Sequence, residues 1–164
     1  MPDLSFSIPD LHDTARIAAR LLCALIIGAV IGLQRELTHK PAGLRTHMLV
    51  ALGTSLVVVA AVEAHMASAD VSRVIQGLIT GIGFLGGGAI LKLTAEHEIH
   101  GLTTAASVWT TAGASVAAGL GEVVTASLAV ALGLIVLVLL SPVERMLGAR
   151  VSNDAVNREP PEER

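Results

Sequence analysis

The chain has 164 residues, of which 52% are hydrophobic, 2% aromatic and 15% charged, with a formal net charge of −3. Soluble domains carry nearer a quarter charged residues, and here the charges crowd the two ends and a few short loops, leaving long uncharged runs between them. That distribution predicts an all-α fold, a polytopic membrane helical bundle of five transmembrane helices in one domain, with the lipid bilayer as its first partner. No basic patch with interleaved aromatics marks a nucleic-acid partner, and one cysteine, Cys23, cannot form an internal disulfide.

Residues 1–14 form a polar N-terminal segment without the basic start of a signal peptide, and Pro9 and Asp10 suit the opening of a short interfacial helix. The transmembrane domain is expected over 15–141. Its first span runs from about Ala15 to Leu33; Arg20, Ala24, Gly28 and Gly32 lie on one i, i+4 row, a small-residue seam for a second helix. Arg35 lies close to the same face, about 22 Å beyond Arg20 at 1.5 Å per residue. The loop 34–47 turns at Pro41 and Gly43 and is followed by a second span from Met48, or from Leu44, to Val62.

After a polar link the third span covers Val74 to Leu93. Gly77, Gly81, Gly83, Gly86, Gly87 and Gly88 fall within it. In a soluble helix each glycine costs roughly 1 kcal/mol relative to Ala; in a membrane it lets backbones approach closely. This stretch, continued to Trp109, is expected to be the packed centre, with Gly28, Gly32, Gly77, Gly81, Gly83 and Gly87 packing helices together. A short charged loop with Glu96, His97, Glu98 and His100 follows; it lacks firm metal-ligand spacing and reads as solvated. The fourth span covers Leu102 to Leu120, where Thr104, Ser107, Thr111 and Ser115 fall within roughly 80° of one another, one polar face. That face is either packing glue or the wall of a polar path. The fifth span, Val123 to Leu140, is uniformly apolar, ends at Ser141-Pro142 and is expected to be the most lipid-exposed. Residues 142–164 form a cytoplasmic tail with a disordered end.

The first loop carries Arg35, Lys40 and Arg45, and Arg145 and Arg150 follow the fifth span. An odd number of spans puts both regions on one side, so the C-terminus is expected in the cytoplasm and the N-terminus outside. Arg20, inside a span, costs about 2.5–3.5 kcal/mol on insertion scales unless it is paired or snorkels. Glu63, Asp70 and Glu122 are its candidate acceptors. At the opposite end Arg35, Glu36, Arg45, Thr46, His47, Lys92, Gly101, Thr103 and Thr104 are expected to converge as a functional cluster, fit for ordinary interfacial charge or for an anion. No catalytic set and no cofactor motif occurs within the spans: GFLGGG lacks the Lys and Ser or Thr of a phosphate loop. Magnesium takes carboxylate ligands, and no Asp or Glu lies mid-span.

The segments IGAVIGLQRE, KPAGLRTHMLVALG, GIGFLGGGAILK and HGLTTAASVWTTAGASVAAG, in this order, resemble the MgtC/SapB family of bacterial inner-membrane proteins from about Arg20 to Leu140. The resemblance implies a multi-pass bundle in the inner membrane, a role in growth at low magnesium and, in one branch, virulence. The matching positions are Arg20, Arg35, Glu36, Gly43, Arg45, Thr46, His47, Gly83, Gly86, Gly88, Lys92, Gly101, Thr103, Thr104, Ala105 and Trp109. The virulence branch tends to carry Asn at the place of Thr103, Cys at that of Thr110, Arg-Glu at that of Lys92-Leu93, and a soluble C-terminal domain. This chain departs from it at each, and so looks like the general branch. The expected function is a non-enzymatic modulator of another membrane complex; the alternative is a homo-oligomeric transporter or channel for a small ion or anionic solute, and a third reading is a lipid-headgroup binder.

Overall fold

A computed structural model describes the backbone of residues 10–93 and 98–156, and the side chains of 10–90 and 101–140. The N-terminal segment up to residue 9, Glu96, His97 and the tail beyond Val156 lie outside the described residues. Among the described residues five helices follow one another: α1 (Leu11–Leu37), α2 (Leu44–Glu63), α3 (Ser68–Gly88), α4 (Leu102–Leu120) and α5 (Val123–Val156). A short antiparallel ribbon, β1 (Leu91–Leu93) with β2 (Glu98–His100), joins α3 to α4 and pairs Lys92 with Ile99. Glu98 and His100 of the expected charged loop therefore lie on a strand, and Lys92 sits on the strand paired with it rather than at a helix end.

The helix limits follow local chemistry. α3 begins six residues before the expected Val74, because Ser68 and Asp70 support a first turn: the Ser72 hydroxyl donates to the Ser68 carbonyl at 3.0 Å and Arg73 pairs with Asp70 at 3.3 Å. It stops at Gly88 rather than Leu93. Three glycines in a row weaken it there, and the amides of Ala89 and Ile90 close off the last carbonyls. α4 occupies the expected residues. Gly101 and Gly121 bracket it with φ of +97° and +92°, a backbone region open to glycine; a side chain at Gly101 would also run into the Ala89 carbonyl. α5 continues past Ser141-Pro142, where the apolar run ends.

α4 touches all four other helices. Small residues let its neighbours close on it: Ala114 and Ala118 of α4 are buried with Ala24, Ile27 and Ile31 of α1, Ala51 of α2, and Ala126 and Val130 of α5 in one cluster. The closest approach is α1 on α2. A Cβ on Gly28 would lie 2.6 Å from the His47 carbonyl oxygen and 2.7 Å from Met48 Cα, and one on Gly32 would lie 2.8 Å from Leu44 Cα. The seam expected at Gly28 and Gly32 is thus occupied by the backbone of α2. Gly119 of α4 makes a similar contact with Val58.

α3 is peripheral instead of central. It rests on α4 and α2 through Ile82 and Gly86, whereas Gly77, Gly81, Gly83, Gly87 and Gly88 have open space where a side chain would be. Among the described residues three helices are long and apolar enough to cross a membrane: α1, α2 and Val123–Leu140 of α5, which buries the least of itself. α4 falls short of that test because of its hydroxyl residues, and its covered faces have no need of a strongly apolar surface.

Candidate functional site

At one end of the bundle the last turn of α1 meets the first turns of α2 and α4. Three side chains tie them together. The Arg35 guanidinium, 2% exposed, donates from Nη2 to Thr104 Oγ1 at 2.6 Å. Glu36 reaches across the turn and accepts the Leu44 amide at 2.9 Å, capping α2 in place of its side-chain-free N-cap, Gly43. His47 is fully buried, with Nδ1 2.9 Å from the Gly43 carbonyl and Nε2 3.1 Å from Ser107 Oγ.

The hydrogen count at His47 is constrained. A carbonyl only accepts, so Nδ1 carries a hydrogen. In the neutral ring Nε2 must then accept from the Ser107 hydroxyl. That hydroxyl also lies 2.8 Å from the Thr104 carbonyl, and it has one hydrogen for two acceptors. Arg35, Thr104, Ser107 and His47 therefore form one chain of polar groups running from α1 through α4 to α2.

Not all of the expected cluster joins it. Arg45 and Thr46 on α2 and Thr103 on α4 face outward and are exposed. Of Lys92 only the backbone is described. Gly101 serves through its conformation. The Ser107 link and the Gly43 carbonyl were not foreseen: Ser107 stood out as part of a polar face three residues from Thr104, and that spacing is the signal that pointed to it.

The polar face of α4 is sealed. Thr104, Ser107, Thr111 and Ser115 are all buried, and each of the last two hydroxyls donates at 2.8 Å to a carbonyl of its own helix four residues back. Within this subunit the stripe fills a packed interior between α1, α2 and α4.

At the other end Arg20 lies 3.7 Å from Glu63, a charge pair beyond hydrogen-bonding range. Glu63 also accepts from Arg16 at 3.3 Å, and Arg16 pairs with Asp13 at 3.2 Å. Of the three candidate acceptors Glu63 is the one engaged; Asp70 holds Arg73 and Glu122 is exposed. No group of three metal-ligating side chains occurs among the described residues; Glu96 and His97 lie outside them, as do the side chains of Glu98 and His100.

A bundle of small-residue helices, apolar along its length and ionisable at its ends, is a helical membrane protein. The sequence profile of the MgtC family matches residues 21–146, and the chain belongs to that family. It is 41% identical over 120 residues to protein SrpB of Synechococcus elongatus, covering 66% of each chain. It is 38% identical over 135 residues to protein MgtC of Brucella abortus, covering 81% of this chain and 55% of that one. With YhiD of Escherichia coli K12, named a putative magnesium transporter, it shares 36% identity over 115 residues, 66% of this chain and 53% of the relative. The chain thus spans from about half to two thirds of the length of these curated relatives. No solved structure matches it.

Proposed function

We propose that this chain is a non-enzymatic, multi-pass protein of the bacterial inner membrane that serves adaptation to magnesium limitation by docking on and modulating another membrane complex. All five helices cross the bilayer in this reading, with the N-terminus outside and the C-terminus and the Arg35 end in the cytoplasm. The observation that carries the proposal is the open face of α3. At about 100° per residue, Gln76, Thr80, Gly83 and Gly87 share one side of the helix, and Gly77, Gly81, Phe84 and Gly88 share the adjoining side. All are exposed, Phe84 by 83%. An amide such as Gln76 is poorly matched to lipid tails, and small residues in membrane helices favour close approach of another helix. A helix of a second protein satisfies both.

A transporter reading draws support from the name of the YhiD relative. Against magnesium conduction through one subunit stand the sealed stripe on α4 and the placement of Asp13, Glu36, Glu63 and Asp70 in the end turns of their helices. Hard cations of this kind favour carboxylate ligands. The docking proposal is tested with a photo-reactive side chain placed at Gly83 and, as a control, at Val124, which is 74% exposed on α5. The expected outcome in native membranes is one discrete protein adduct from position 83 and lipid adducts from position 124. Lipid adducts from both would remove the proposal.

A further inference from the structure

We propose that the Arg35 end of the bundle binds a phosphate group, carried by a lipid headgroup or free in solution. This site is separate from the α3 face and stands or falls independently of it. Arg35 is a buried cation whose one hydrogen bond among the described residues goes to a neutral hydroxyl, that of Thr104. Its Nε is sealed from solvent with no partner among the described residues. The other described arginines each have a carboxylate or solvent: Arg16 and Arg20 share Glu63, although Arg20 Nη1 is itself buried without a hydrogen bond, Arg73 has Asp70, and Arg45 is exposed to solvent or headgroups. No carboxylate lies within ion-pair distance of Arg35 among the described residues. A buried charge without a counter-charge carries a large desolvation penalty.

The surroundings raise the demand for an anion. Arg35 sits against the first turn of α4, where the backbone dipole presents its positive end. The N-cap of α4, Gly101, has no side chain to offer, and the amides of residues 102–104 find no acceptor among the described residues. The nearby carboxylate of Glu36 is spent on the Leu44 amide of α2. A guanidinium and a helix N-terminus thus lie together with no negative group between them among the described side chains. An oxyanion accepts from both at once, and the planar guanidinium fork suits phosphate. Leu102 and Thr103 are exposed, so the turn lies at the surface of the bundle. Arg35 is two residues from the end of α1, at the depth where a spanning helix meets headgroups.

The experiment compares thermal unfolding midpoints of delipidated protein in detergent. One arm adds inorganic phosphate against chloride at matched ionic strength. The other dopes the micelles with phosphatidylglycerol against undoped micelles. Two variants accompany the natural chain: Arg35→Gln, which removes the cation, and Thr104→Asp, which sets a carboxylate against it. At least one probe is expected to raise the midpoint of the natural chain; inorganic phosphate doing so identifies a free anion, and phosphatidylglycerol alone doing so identifies a headgroup. The rise is expected to vanish in both variants, and Thr104→Asp without any probe is expected to melt above the natural chain. Should Arg35→Gln fail to fold, Thr104→Asp decides. The proposal is overturned if neither probe shifts the natural chain, if a shift survives in Thr104→Asp, or if Thr104→Asp fails to fold or melts lower, since the guanidinium would then have no need of an anion.

Discussion

Gly28→Val destabilises the bundle by about 3 kcal/mol, enough to threaten folding of a marginally stable domain, while Gly83→Leu leaves the isolated subunit as stable as the natural chain. The contrast follows from what each added side chain meets. At Gly28 the Cβ alone would press on the His47 carbonyl, Met48 Cα and the Ala51 side chain, all within 2.9 Å. Two of the three are backbone, so relief requires α1 and α2 to separate along their seam. At Gly83 there is open space, and the cost is confined to whatever docks there. Thermal unfolding in detergent measures the first effect, and native gels of solubilised membranes measure the loss of assembly expected for Gly83→Leu. Equal stability of Gly28→Val and the natural chain would show that α1 and α2 are not held in this contact.

Glu63→Leu is the second large change. It strips the carboxylate from Arg20 and Arg16 together. The Arg20 side chain is 18% exposed, so the loss leaves a largely buried cation, a cost of about 2–3 kcal/mol by analogy with unpaired arginine in membrane helices. The double variant Arg20→Leu, Glu63→Leu removes both charges and recovers most of that stability, because a buried pair often contributes little more than an apolar pair of similar size. Unfolding midpoints of the two single variants and the double variant measure the coupling. Additive single and double effects would mean that Arg20 is satisfied by solvent or headgroups instead of Glu63.

What could be read from the sequence divides along physical lines. α4 was legible to the residue because Gly101 and Gly121 punctuate it at both ends. The seam of Gly28 and Gly32 was legible because its i, i+4 spacing marks one face. The glycines of α3 were misplaced for a reason inherent in small residues. They signal a close approach without naming the chain that approaches, and here the described subunit leaves all of them but Gly86 open. The cluster at the Arg35 end was half legible. Charge and hydroxyl content located the end, but helix phase decided membership: His47 lies on the buried row with Ala51, Thr54 and Val58, while Arg45 and Thr46 are about 200° and 100° away from it. The hairpin between α3 and α4 was missed because its two arms are three residues long, too short for an alternating pattern to declare itself.

The distinction between a docking protein and a conductor rests most directly on flux. Purified protein in sealed liposomes is followed in turn for magnesium, protons and phosphate, beside empty liposomes and beside Thr111→Val, which removes one hydroxyl from the sealed interior of α4. The expected result is flux no greater than that of empty liposomes for all three, with protein that is folded and inserted. Flux of any of them that Thr111→Val abolishes without unfolding the protein would place a path along α4 and contradict the docking function proposed for this chain.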